Sequence, residues 1–283
     1  KMIIFDYNQV AISNLMEQIG YSKTEVQEDL VRHMILNTIR TYVKKFKKTH
    51  GPEVILACDN KNYWRKELFP NYKASRKKVR ETSGHDWNVI FECLNKIRDE
   101  LKENSPYKVI EIDTCEADDI IATITTKYSA NEKIMILSSD KDFAQLQKFK
   151  NVEQYSPILK KYVKEELPSL QLKQLIIRGD KGDGIPNIMS PDDVFVTGGR
   201  QKPITNKNII KWLNEKPEDF CNEEMFRNYK RNEILIDLSK VPERLKEEIL
   251  HSYDTVKGKT KQVFMNYMIN KRLKNLLEVI DEF

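Results

Sequence analysis

Apolar runs of strand length alternate with longer segments of helical periodicity up to about residue 156. The apolar runs are short and unbroken, as in strands buried on both faces, and cover residues 2–6, 54–59, 108–112, 134–137 and, more weakly, 152–155. Residues 24–48 and 87–102 have apolar side chains at helical spacing, and Thr24 with Gln27 forms a candidate capping box. This alternation predicts an α/β fold with a mainly parallel central sheet and helices on both faces.

The rest of the chain has a helical pattern that follows a glycine-rich turn at residues 178–186. Thr205 is a candidate cap for a helix that ends near Leu213, and apolar spacing predicts further helices at 226–238, 245–253 and 263–280. We therefore predict two parts. Residues 1–178 form the α/β core, which includes a basic segment at about 61–83, and residues 179–283 form a helical region.

Composition narrows the classes of function. The 283 residues include 48 Lys and Arg against 43 Asp and Glu, a net charge of +5, and 32% of them are charged. The four cysteines are too widely spaced for a zinc ribbon and favour a reducing, intracellular compartment, while the four histidines lack metal-site spacing. No apolar run reaches membrane-spanning length. Because the chain enters a strand at once from Lys1, we expect no signal peptide, and a short natural N-terminus before this residue.

Carboxylates recur where the predicted strands end. Asp140 and Asp142 follow the strand at 134–137, and either residue would also serve as a cap for a helix that we expect to begin near Phe143. The repetition favours metal binding, since like charges that converge need a countercharge. The candidates, all oxygen ligands that favour Mg²⁺ or Mn²⁺ over zinc, are Asp6, Asp59, Glu116, Asp118, Asp119, Asp140, Asp142, Asp180 and Asp183.

The segment at residues 61–80 is strongly basic. It has eight Lys and Arg residues against the single acid Glu67, a net of +7, with Tyr63, Trp64, Phe69 and Tyr72 interleaved. Basic and aromatic side chains together suit phosphate contact and base stacking, although a solvated helix face with core aromatics would give a similar pattern. An acidic cluster beside such a segment favours a phosphodiesterase, in which metal ions act on a phosphate that the basic segment holds.

Over nearly its whole length the chain resembles the flap endonuclease family of structure-specific 5′ nucleases, and within it the ribonuclease H branch of T-even bacteriophages. The resemblance rests on ordered motifs at residues 5–6, 58–60, 63–65, 71–76, 116–119, 138–143 and 179–183. It implies a first carboxylate group, Asp6, Asp59, Glu116 and Asp118, with Asp119 beside it. It also implies a second carboxylate group, Asp140, Asp142, Asp180 and Asp183.

The resemblance also implies roles for the basic segment, which corresponds to the family's arch over the 5′ strand. Lys73 matches a lysine that contacts the scissile phosphate, and with Arg65, Asp118 and Asp142 it makes up the expected catalytic set. The expected nucleic-acid contacts are Arg65, Tyr72, Lys73, Arg76, Lys77, Lys202 and Lys207. Lys202, Lys207 and Lys211 replace the family's usual glycine-rich duplex-binding turn, which the chain lacks, and ordinary surface lysines would explain them equally well.

As an expected function, the resemblance implies a Mg²⁺-dependent 5′ to 3′ exonuclease and flap endonuclease that removes RNA primers and 5′ flaps in lagging-strand replication. Two Mg²⁺ ions are expected, with Mn²⁺ able to substitute. The implied partners are RNA–DNA hybrids, flap or nicked DNA, a single-strand DNA-binding protein and a sliding clamp. We expect a monomer that acts in the cytoplasm, or in the host cytoplasm if the chain is viral, with no membrane partner.

Two other functions remain open at this point. A single-strand ribonuclease of the PIN type shares an acidic α/β core, but the long helical C-terminal region and the basic segment argue against it. A non-catalytic nucleic-acid-binding protein would gain affinity by losing acids that repel its ligand, so the retention of every acidic motif argues against this alternative.

Overall fold

The protein, described from a computed structural model that covers residues 1–20 and 25–283, is built on a six-stranded sheet. Its strands are β1 Met2–Asp6, β2 Glu53–Cys58, β3 Lys108–Glu111, β4 Ile134–Leu137, β5 Val152–Ser156 and β6 Lys161–Val163. They lie in the order β3-β2-β1-β4-β5-β6, and all neighbours are parallel except β5 and β6. The predicted mainly parallel sheet is confirmed. The short edge strand β6 was not predicted, because three residues show too little periodicity.

Helices connect the strands and continue after the sheet. The first six are α1 Tyr7–Ile19, α2 Glu28–His50, α3 Trp64–Leu68, α4 Ser75–Thr82, α5 Trp87–Asn104 and α6 Ala117–Tyr128. The others are α7 Pro168–Arg178, α8 Asn206–Leu213, α9 Pro217–Phe220, α10 Glu223–Ile236, α11 Glu243–Thr255, α12 Lys261–Asn270 and α13 Lys274–Leu277. Short 3₁₀ helices span Lys141–Lys148, Leu238–Lys240 and Ile280–Glu282.

Helix boundaries differ from the sequence pattern at three places. Helix α2 begins at Glu28, and Thr24 of the predicted capping box lies outside the described residues. The helix expected from Phe143 is a 3₁₀ helix that Asp140 caps through the backbone N–H of Asp142. The single helix expected at 263–280 is divided into α12, α13 and a 3₁₀ turn. Thr205 caps α8 as predicted, accepting from Asn208.

Alternate residues of the strands enter two apolar cores, one on each face of the sheet. Ile3 and Phe5 face the core that includes residues of α1, α2, α5 and α12. Met2 and Ile4 face the opposite core, which includes residues of α6, α11 and the 3₁₀ helix after β4. Helices therefore cover both faces, as predicted. None of the helices in the described ranges is both long and apolar enough to cross a membrane.

The C-terminal helices contribute to three different apolar clusters. Phe264 of α12 and Leu245 of α11 belong to the two cores of the sheet. A third apolar cluster instead joins the basic segment to the chain after the sheet, since Phe69 and Tyr72 pack with residues of α7, α8 and α10. This third cluster holds the basic segment against the helices that follow the sheet. The predicted division at residues 178 and 179 stays a prediction.

A buried ion-pair network ties α2, α5 and α12 together on the first face. Arg32, only 1% exposed, donates to both oxygens of Glu100 at 2.6 and 2.9 Å. Glu100 also accepts from Lys271 at 2.7 Å and from the Tyr267 hydroxyl at 2.9 Å. Burial alone would raise the pKa of Glu100, but the hydrogen bonds from Arg32 and Lys271 lower it below its usual value. The ionised carboxylate therefore stabilises the fold at neutral pH, and this contribution is lost as the pH falls through the lowered pKa.

We expect Glu100→Gln to reduce the free energy of unfolding by about 2 kcal/mol at neutral pH, the typical contribution of a charged hydrogen bond. In acid, where Glu100 is protonated in both states, the loss should be much smaller. Urea unfolding at both pH values measures the difference. Glu103→Gln, an exposed change on the same helix, is the control and should be neutral at either pH. An equal loss in acid and at neutral pH would contradict this account.

Candidate metal centre and nucleic-acid interface

Acidic side chains gather at the edge of the sheet where the parallel strands end. Asp6 is the last residue of β1 and pairs in register with Ala57 of β2. Asp59 comes directly after β2, and Asp140 follows the end of β4. Since β2 and β4 pair with β1 on opposite sides, the three strand ends meet at a single edge.

The pKa shifts show that the first carboxylate group lies within one electrostatic field. Burial and the charge of Asp59 raise the pKa of Asp6 to about 7, with a further contribution from Asp140. Burial, followed by the charges of Asp140 and Glu116, raises the pKa of Asp118 well above its ordinary value. Because Asp140 acts on both Asp6 and Asp118, the field extends into the second carboxylate group.

Within the second carboxylate group, Asp142 is the most perturbed. Burial raises its pKa to about 8, and the charges of Asp140 and Asp180 add to the shift. The Asp142 Oδ1 atom is buried and finds no hydrogen-bond partner in the described part of the chain. Burial also raises the pKa of Asp140, with a contribution from Asp183. The structure thus brings the loop after α7 to the carboxylates that follow β4.

Asp119 does not join the other acids, and its assignment as a metal residue is corrected. Its side chain is fully buried. One oxygen accepts from the Trp64 indole N–H and from the backbone N–H of Glu116, each at 3.0 Å. The other oxygen lies 2.8 Å from the Arg65 guanidinium. Asp119 therefore caps α6 through one oxygen and forms an ion pair with Arg65 through the other.

Arg65 is also corrected as a nucleic-acid contact, because only 2% of it is exposed. Its guanidinium contacts Glu116 at 2.9 Å and Asp119 at 2.8 Å. Its Nε atom donates to the backbone carbonyl of Leu235, near the end of α10, at 2.9 Å. Arg65 therefore holds Glu116 in place and joins the site to the C-terminal helices. Charge density along the sequence could not distinguish this internal cation from a surface one.

Other residues of the basic segment reach the acids directly. Lys73, whose side chain is 10% exposed, pairs with Glu116 and lies 3.7 Å from Asp183. The Tyr72 hydroxyl donates to Glu116 at 2.9 Å and to Asp183 at 3.2 Å. Because only 2% of Tyr72 is exposed, it is corrected as a nucleic-acid contact for the same reason as Arg65. Arg76 pairs with Asp183 at 2.5 Å. Burial would lower the pKa of Lys73, but Glu116 and Asp183 raise it above its usual value, so this cation stays protonated.

The backbone at Lys73 is held for this contact. Its φ is 55°, a left-handed conformation that a non-glycine residue adopts at an energetic cost. Its N–H donates to the carbonyl of Asp183 at 2.7 Å, so the basic segment and the loop after α7 are joined by main chain as well as by side chains.

The other lysines that the sequence analysis proposed as nucleic-acid contacts lie on the surface. Lys77, Lys202 and Lys207 are exposed, and Lys211 lies 3.9 Å from Glu215. Their roles in nucleic-acid binding stay predictions.

Two residues that the sequence analysis missed also belong to the site. Lys141, between Asp140 and Asp142 in the sequence, pairs with Asp180 at 2.8 Å. The Ser138 hydroxyl donates to Asp6 at 2.9 Å and accepts from the backbone N–H of Asp140 at 3.0 Å. Lys141 was visible as a cation between two acids. Ser138 carried no comparable signal, because its importance arises from the pairing of β1 with β4.

The donor chemistry of these carboxylates fits a hard divalent cation. Within residues 1–20 and 25–283, no three or more His, Cys, Asp or Glu side chains are already drawn together as a bound ion would hold them. The two carboxylate groups nevertheless supply only oxygen donors, the set that Mg²⁺ and Mn²⁺ prefer. The unpartnered oxygen of Asp142 and the raised pKa values of Asp6 and Asp142 show that positive charge is still needed here.

The family models and the curated relatives that match this chain all describe nucleases of related kinds. A family model described as 5′-3′ exonuclease, N-terminal resolvase-like domain, matches residues 11–173, and one described as T4 RNase H, C terminal, matches residues 167–283. Ribonuclease H of Enterobacteria phage T4 is 34% identical over 290 residues, which cover 99% of this chain and 95% of that protein. Flap endonuclease Xni of Shewanella woodyi is 33% identical over 157 residues, which cover 51% and 58% of the two chains.

Solved structures of phage T5 proteins share the fold. The T5 D15 flap endonuclease, in a pseudo-enzyme-product complex with DNA and metal ions, has a TM-score of 0.61 at 17% identity, covering 99% of both chains. T5 D15 protein co-crystallized with metal ions has a TM-score of 0.62 at 16% identity, covering 96% of this chain and 98% of that one. At 16–17% identity, these structural likenesses show that the fold is shared. The family assignment rests on the sequence matches, which together span nearly the whole chain. This chain therefore belongs to the 5′-3′ exonuclease and flap endonuclease family, and it is a nuclease.

Proposed function

We propose that this nuclease hydrolyses phosphodiester bonds of RNA–DNA and DNA duplexes from the 5′ side, with two Mg²⁺ ions that Mn²⁺ can replace. The convergence of the two carboxylate groups beside Lys73 and Arg76 carries the proposal. An acidic pocket alone would repel nucleic acid, and a basic segment alone would only bind it. Their direct contact suits a site that first takes up cations and then a phosphate.

The two carboxylate groups would hold the metal ions, the first group one ion and the second group the other. The ions would supply an activated water and positive charge at the scissile phosphate. Arg65 fixes Glu116 from the buried side, while Ser138 holds Asp6 and the start of the loop that carries Asp140. Lys73, Arg76 and Lys141 now compensate carboxylates that would face metal. With the carboxylates neutralised by bound cations, these three side chains would be free to hold phosphate oxygens.

The names of the relatives support a proposal for the substrates and partners. Relatives are named ribonuclease H and flap endonuclease, and the T5 flap endonuclease was crystallised with DNA. We infer that this chain removes RNA primers and 5′ flaps during lagging-strand synthesis. Lys77, Lys202 and Lys207 are proposed contacts with the nucleic-acid backbone. A single-strand DNA-binding protein and a sliding clamp are proposed partners of a monomeric enzyme in the cytoplasm.

Cleavage by Asp142→Asn tests the metal site. We expect cutting of a labelled RNA–DNA hybrid and of a 5′-flap DNA to require Mg²⁺, to stop in EDTA and to fall at least about 100-fold in the variant. Without metal the variant should be no less stable than the wild type, because burial and the neighbouring acids already disfavour the charged form of Asp142, and the neutral amide avoids that penalty. Asp113→Asn, at an exposed carboxylate, is the control. Full activity of Asp142→Asn would refute the assignment.

Lys73 and Lys77 should have separable effects. Lys73→Ala removes the cation at the acids and should lower kcat on the order of 100-fold with little change in duplex affinity. Lys77 is exposed on α4, so Lys77→Ala should leave kcat intact and reduce the slope of log affinity against log salt by about one. Single-turnover cleavage and salt-dependent binding measure the two effects. If both variants lose only affinity, Lys73 acts in binding alone.

A further inference from the structure

The first turn of α1 directs two neutral amide side chains toward the ends of the neighbouring strands. Asp6 caps this helix, accepting from the backbone N–H of Gln9 at 3.3 Å. Asn8 and Gln9 are both partly buried, and they lie two and three residues after Asp6, the acid that ends β1. They are therefore attached to the central strand of the three that carry carboxylates at their ends.

Asn8 and Gln9 reach in opposite directions. The Asn8 Oδ1 atom accepts from the backbone N–H of Asp59, beyond β2, at 3.0 Å. The Gln9 Oε1 atom accepts from the backbone N–H of Ser139, beyond β4, at 2.5 Å. Both acceptor bonds lie beyond the last paired residues of β2 and β4 with β1, where the ladder no longer fixes the spacing of the chains.

Each of these bonds holds the backbone at, or next to, a residue that carries a carboxylate. Asp59, held through its N–H by Asn8, accepts from the backbone N–H of Ala117 at 2.7 Å, at the start of the helix that carries Asp118. Ser139, held by Gln9, directly precedes Asp140. The turn thus links the first and second carboxylate groups through the backbone that bears them.

We propose that Asn8 and Gln9 are positioning residues that set the spacing of the two carboxylate groups and hence their affinity for divalent cations. The inference rests on the proposed metal-dependent function. Their residue type suits this task, because an amide oxygen accepts the N–H without adding to the repulsion among the acids. Partners that orient metal ligands in this way commonly change metal affinity by about 10–100-fold when they are removed.

Calorimetric titration of the full chain with Mg²⁺ tests the proposal. Gln9→Met keeps side-chain length but removes the acceptor, and Asn8→Leu does the same at the other bond. We expect each to weaken Mg²⁺ binding by about 10-fold and to lower kcat at subsaturating Mg²⁺, with KM for the nucleic acid little changed. Gln9→Glu keeps an acceptor oxygen and should bind Mg²⁺ at least as tightly as the wild type.

Gln18→Met is the matched control on the same helix. Gln18 also accepts from a backbone N–H, that of Gln27 at 3.1 Å, but it lies at the opposite end of α1 from Asp6. The Gln18→Met substitution should therefore leave the Mg²⁺ affinity unchanged even if it lowers the melting temperature. Melting curves for all variants separate a loss of stability from a loss of cation binding.

The outcomes distinguish the inference from the proposed function. If the wild type binds Mg²⁺ and cleaves, while Gln9→Met and Asn8→Leu match it in affinity and kcat, the positioning role is overturned and the nuclease proposal stands. A 10-fold loss in Gln18→Met as well would also overturn it, since the effect would then be general to α1. If the wild type neither binds Mg²⁺ nor cleaves, the proposed function fails and the inference fails with it.

Discussion

Repulsion among carboxylates at the ends of β1, β2 and β4 is the constraint around which the site is built. Five more acids, from α6 and the loops nearby, surround the three at the strand ends, and burial with mutual charge raises the pKa of Asp6 to about 7 and that of Asp142 to about 8. Arg65 is almost completely buried and forms ion pairs with Glu116 and Asp119 on the inner side of the site. Lys73, Arg76 and Lys141 act from the open side and compensate only part of the charge. The negative charge that stays uncompensated is the physical reason to expect bound cations here.

The fold converts this constraint into a defined geometry. Parallel pairing brings the strand ends together, and apolar cores on both faces keep the sheet rigid behind them. The third cluster then holds the basic segment over the acids, with Tyr72 in both the cluster and the hydrogen-bond network of Glu116. The basic segment and the acidic side chains are therefore parts of one packed unit, which accounts for their proximity despite the length of chain between them.

The sequence predicted the strands and the acids that follow them, because buried strands and the polar loops after them leave a local pattern. Asp119 and Arg65 could not be placed in the same way, since their spacing fits a surface site equally well and only tertiary contact with Trp64 and Leu235 shows that they face inward. Asn8 and Gln9 gave no signal because neutral amides near a helix start are common. Edge strand β6 and the 3₁₀ form of residues 141–148 were too short or too irregular for periodicity to reveal.

The most direct test of the account is the position of bound ions in crystals grown with Mn²⁺, located by anomalous scattering. The account predicts two Mn²⁺ sites at the edge of the sheet, one within each carboxylate group, with Asp142 as a ligand and Asp119 still paired with Arg65. Lys141 should have left Asp180. Crystals without a Mn²⁺ peak among these acids, or with an ion held through Asp119, would contradict it.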